Sequence, residues 1–168
     1  MNSYQELWWR QAQSDQTVLV SLRRNGAAAC HQLHYLQMVT EKLAKAYFWE
    51  SGNPPRRTHA VLVQFLRSLG GVPQSQRQRI TDALGFGRFA DLQNWLREVL
   101  PLAYELQKLA PNLAQDGPNP EYPWPQVAPQ FAPVSFEFDL WTKLTNSGRG
   151  RQLMQVIRRA VDRFPSYG

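Results

Sequence analysis

The chain has 168 residues, a formal net charge of +6, 43% apolar residues and 12% aromatic ones. Disorder and fibrous folds are excluded, because a chain this long buries about 70% of its unfolded surface and needs neither disulfides nor metal to be stable. No stretch approaches the roughly 20 apolar residues that cross a bilayer, and residues 1–10 lack the basic start and apolar run of a signal peptide. With Cys30 as the single cysteine, the expectation is a cytoplasmic, single-domain protein over 1–168, with no membrane contact, no cofactor and no metal site.

Tyr4, Leu7, Trp8, Gln11, Asp15, Val18, Leu19 and Leu22 recur at helical spacing and predict an amphipathic first helix that stops near Arg23-Arg24-Asn25-Gly26. A second helix is expected from Ala27 to Ser51, with Cys30, Leu33, Leu36, Gln37, Thr40, Leu43, Ala44 and Tyr47 inward and Gly52-Asn53-Pro54-Pro55 as its end. Thr58 is the expected N-cap of a third, carrying Val61, Leu62, Phe65, Leu66 and Leu69 and closing at Gly70-Gly71. Residues 75–113 read as helix broken at Gly85-Phe86-Gly87, and Pro101 is a candidate kink in the second piece.

Residues 111–133 hold seven of the twelve prolines, with Tyr122, Trp124 and Phe131 among them. The composition predicts a loop pinned across the bundle, so 113–146 is expected to be a proline-rich loop within the domain. Pro133–Phe138 is the one strand candidate. A last helix begins between Ser147 and Gly150 and buries Leu153, Met154, Ile157, Val161 and Phe164. The fold class is therefore all-α, an up-and-down antiparallel bundle of about five helices.

Charge is unevenly placed. From Lys143 to Gly168 there are six basic residues and one acid, whereas the other 142 residues carry 13 Lys+Arg against 12 Asp+Glu. Arginine outnumbers lysine 15 to 4, and its planar fork suits bidentate contacts to phosphate. Arg149, Arg151, Arg158 and Arg159 are the candidate nucleic-acid or anion-binding residues; the alternative is a solvated helix face.

The first helix, with Trp8 or Trp9, Ala12 and Asp15, and the second, Ala29 to Ala46 with Gln37 ahead of Glu41-Lys42 and Lys45-Ala46, resemble the HEPN domains (higher eukaryote and prokaryote nucleotide-binding). Gly52 to Pro55 followed by Thr58-His59 is similar to that family's approach to its third helix. The resemblance covers about Tyr4 to Leu69. It implies a helical bundle, a homodimer, and structural positions at Asp15, Gln37, Glu41, Lys45 and His59. Read alone, Glu41 and Lys45 make an exposed i,i+4 pair, and Asp15 is a carboxylate on the apolar stripe that needs a hydrogen bond inside the bundle.

Active members of that family resemble metal-independent ribonucleases with an Arg-x-x-x-x-His motif late in the bundle. Histidine would move the proton of a 2′-hydroxyl, and arginine would neutralise charge growing on the phosphate. Here no histidine follows His59. Arg24, His31 and His34, at the start of the second helix, are the remaining catalytic candidates. His59 is expected beside the far end of that helix, so the three histidines do not converge. Cys30 reads as a small core residue.

Three functions are open at this point. The first is a non-catalytic HEPN-like binding module that contacts nucleic acid, a nucleotide or an acidic partner through its basic last helix. The second is a structural or toxin-antitoxin-like partner protein that uses exposed aromatics such as Trp9, Trp49 or Trp124. The third is a ribonuclease built from Arg24, His31 and His34 across a dimer interface.

Overall fold

The computed structural model describes residues 1–49 and 61–168. Over those residues the protein is all-helical, with eight α-helices, two 3-10 turns and no strand. α1 spans Ser3–Arg24 and is opened by a reciprocal cap, in which Asn2 Oδ1 accepts from the Gln5 amide and Gln5 Oε1 from the Asn2 amide. α2 spans Ala29–Phe48. Tyr4 stacks on Trp49 at 4.6 Å, Lys45 Nζ lies 5.0 Å over the Trp8 ring, and Lys42 Nζ is 3.3 Å from Asp15. Residue numbers rise along one helix as they fall along the other, so α1 and α2 are antiparallel.

α2 lies deep in the structure, with twelve of its twenty residues buried, among them Gln32, Gln37, Thr40, Glu41 and Lys45. The Glu41–Lys45 pair is therefore an interior one, which corrects the expectation of an exposed pair. Asp15 accepts from Gln11 Nε2 at 3.2 Å, and Gln37 Nε2 donates to the Leu106 carbonyl at 2.8 Å. Cys30 faces the core, and burial pushes its thiol above the ordinary range.

α3 spans Leu62–Gly70 and α5 spans Phe89–Lys108. Gln107 Oε1 accepts the Val63 amide at 3.1 Å, and Gln93 Nε2 donates to the Gly70 carbonyl at 3.1 Å. Side chains of α5 thus satisfy both ends of α3, whose N-terminus has no side-chain cap of its own. Thr58, His59 and the expected stop at Gly52–Pro55 lie outside the described residues. α2 ends at Phe48, three residues before the expected Ser51. Pro101 sits on the exposed side of an α5 that runs unbroken.

α4 spans Gln74–Leu84 and ends on Gly85 with φ +82°. α6 spans Pro111–Ala114, α7 Asp139–Asn146 and α8 Gly148–Asp162. The expected break at Gly85 separates α4 from α5, and the count exceeds the expected five further because α6 follows a break at Leu109 and α7 lies inside the stretch expected to be loop. Pro133–Ser135 is a 3-10 turn, which corrects the strand candidate. The proline-rich loop is pinned by Trp124, which is buried against Phe136 and Phe138 and exchanges backbone hydrogen bonds with Phe131. α8 buries Leu153, Val156, Ile157, Ala160 and Val161, with Met154 half-buried, and touches α1, α2, α4, α5 and α7.

Candidate anion-binding site on the last helix

On α8, Gln155, Arg158, Arg159 and Asp162 fall at spacings of three and four, so they share one face. That face meets α4 across an open groove of about 760 Å³, which Arg79, Asp82, Arg163 and Ser166 also line. Four arginines and two aspartates leave the groove a balance of +2.

The arginines are not equivalent. Arg159 Nη1 donates to the carbonyls of Leu84 and Gly85, at 3.2 and 3.4 Å. Its cation thus sits on the C-terminal end of α4, where the helix dipole is negative. Arg79 Nη2 donates to the Tyr167 carbonyl at 3.3 Å. Tyr167 is buried, donates its own hydroxyl to the Ala160 carbonyl at 2.8 Å, and has its pKa pushed well above 10.0 by burial and secondarily by Tyr47. Arg158 Nε lies 3.6 Å from Asp162 in a largely exposed pair, which contributes little. Among the described residues, no carboxylate lies within ion-pair distance of Arg163. Arg158 and Arg163 therefore present the most available positive charge.

Gln155 and Arg158 also line a second cavity, of about 360 Å³, on the adjoining face of α8. Its floor is aliphatic, built from Leu19, Leu36, Val39, Leu144 and Ile157, and Arg23, Arg151 and Gln16 stand around it.

The sequence candidates disperse. Arg151 lines the second cavity and donates to the Asn146 carbonyl at 2.7 Å, whereas Arg149 pairs with Glu98 of α5 and lines neither cavity. Arg24 and His31 are exposed. His34 is half-buried, with Nδ1 3.4 Å from Glu121 of the proline-rich loop. Asp15, Gln37, Glu41 and Lys45 belong to the interior, and His59 lies outside the described residues. Trp124 is buried and Trp9 donates Nε1–H to the Val161 carbonyl at 2.8 Å, so neither is a free aromatic contact. Sequence reasoning missed Arg79 and Arg23, which join α8 only through tertiary packing. Among the described residues, no three His, Cys, Asp or Glu side chains gather as a metal site, and no helix is long and apolar enough to cross a membrane.

No protein-family model matches the chain, and no curated protein or solved structure matches it either.

Proposed function

We propose that this protein is a non-catalytic, HEPN-like binding module, a homodimer, that holds the phosphate backbone of a nucleic acid in the α4–α8 groove. The observation that carries this reading is the convergence of Arg79, Arg158, Arg159 and Arg163, from two helices and the turn after α8, on one open groove. Arginine forks on a solvated surface bind phosphates and release their counterions. The HEPN-like part rests on the sequence resemblance over Tyr4 to Leu69.

Fluorescence anisotropy with labelled single-stranded RNA tests it. Four neutralised phosphates give log K against log salt a slope of about −3. The Arg158→Glu, Arg163→Glu variant, which spares the cap of α4, abolishes binding. A flat salt dependence refutes the reading, and light scattering decides the dimer.

One observation favours a partner protein instead. Tyr122, Val127, Phe131 and Val134 leave an exposed apolar ridge along the proline-rich loop. A partner seated there, toxin-antitoxin-like or structural, would survive high salt.

A further inference from the structure

We infer that the cavity between α1, α2 and α8 seats an unpaired base of the bound strand, which makes the ligand a single-stranded nucleic acid. This deepens the proposed groove function and rests on it.

The cavity and the groove are neighbours, because Gln155 and Arg158 line both. Their chemistry differs. The groove mixes arginines with Asp82 and Asp162, whereas the cavity has an aliphatic floor, with Leu36, Val39 and Leu144 almost wholly buried, and no carboxylate among the described residues that line it. Arg23 and Arg151, with Arg158 shared with Asp162 at the edge, leave it positive, which suits an occupant that carries an anionic group beside an apolar body. A volume of about 360 Å³ is within the range of small-ligand sites.

A nucleotide unit meets each requirement. The faces of a base are apolar and rest on the aliphatic floor, and its polar edges need amide partners, which Gln16 and Gln155 supply. Gln16 Nε2 is already given to Asp162 at 2.9 Å, which leaves its oxygen to accept. The phosphate on one side of the unit reaches Arg23 and Arg151, and the phosphate on the other passes Arg158 into the groove. An apolar chain headed by a carboxylate would satisfy the floor and the arginines but would use neither amide nor the shared edge with the groove. A duplex keeps its bases stacked and paired, so it offers the groove its phosphates but offers the cavity nothing.

The test compares three probes of equal length at one salt concentration: oligouridylate, an abasic ribose-phosphate strand, and a duplex. Oligouridylate should bind about tenfold more tightly than the abasic strand, the effect of burying about 55 Å² of apolar base surface, and more tightly than the duplex. Val20→Trp, which fills the cavity from its half-buried wall, should bring oligouridylate to the abasic affinity with the salt slope unchanged. The abasic comparison needs no variant and decides the matter if Val20→Trp fails to fold. Equal binding of all three probes overturns the base-seating inference and leaves the groove reading standing. Absence of binding by all three overturns both.

Discussion

The guanidinium of Arg159 occupies the space into which a side chain at Gly85 would grow. Gly85 ends α4 in the left-handed conformation, φ +82°, and its carbonyl and that of Leu84 accept from Arg159. One residue without a Cβ thus allows α8 to cap α4, which fixes one wall of the groove against the other.

Gly85→Ala should therefore destabilise the protein by about 2 kcal/mol or more, since left-handed backbone alone costs roughly 1–2 kcal/mol for a residue with a Cβ. In an Arg159→Ala background the same change should cost less. A double-mutant cycle read by urea denaturation checks this, and equal costs in the two backgrounds would show that the pair is not coupled.

Gly150 and Gly148 make a matched pair on the first turn of α8. A Cβ at Gly150 would run into the backbone of Lys143 and Leu144, whereas one at Gly148 meets nothing within 4 Å. Gly150→Ala should cost about 1–3 kcal/mol by overpacking a backbone crossing that cannot yield. Gly148→Ala should be neutral or stabilising by up to about 1 kcal/mol, and denaturation midpoints of the two variants distinguish them.

Burial separates two ion pairs of identical spacing. Lys45→Met removes the ammonium that lies beside Glu41 in the interior and should cost more than about 1 kcal/mol. Arg10→Met breaks the exposed Glu6 pair on α1 and should change stability by less than about 1 kcal/mol. Thermal unfolding of the two variants under one buffer provides the comparison.

Tyr167 sets an alkaline limit. Its folded pKa is raised by burial above the unfolded value of about 10, so the folded chain keeps a proton that the unfolded chain gives up. Its stabilising contribution is whole below pH 10 and declines as pH rises beyond it. Tyr167→Phe loses the hydrogen bond to Ala160, costing about 1 kcal/mol at neutral pH, and should flatten the decline measured by urea unfolding between about pH 8 and 11. An unchanged slope would assign the decline to other groups.

The long amphipathic helices were readable because each repeats its apolar stripe over several turns, as Leu92, Leu96 and Ala103 do in α5. α7 was not, since only Leu140 and Leu144 of its eight residues are buried, and two positions establish no period. Glu41 and Lys45 misled for a related reason. A polar pair at helical spacing reads as solvated unless the neighbours on every side of α2 are known. The basic face of α8 was legible, but Arg79 lies 79 residues before Arg158, and only the crossing of α4 and α8 brings them together. Trp124 shows the same limit in reverse, since its burial depends on Phe136 and Phe138 folding back over it.

The Trp9 indole donates to the Val161 carbonyl across 152 positions of sequence. The α1–α2 hairpin is built from neighbouring segments of chain, whereas α8 supplies a wall to both the groove and the apolar cavity. α1 to α7 all precede α8 in the chain, so neither cavity has that wall until α8 docks. Both cavities are thus completed by the same docking that closes the core, and a chain interrupted before Ser147 lacks the arginines of α8 and the wall that α8 sets over Leu19, Leu36 and Val39.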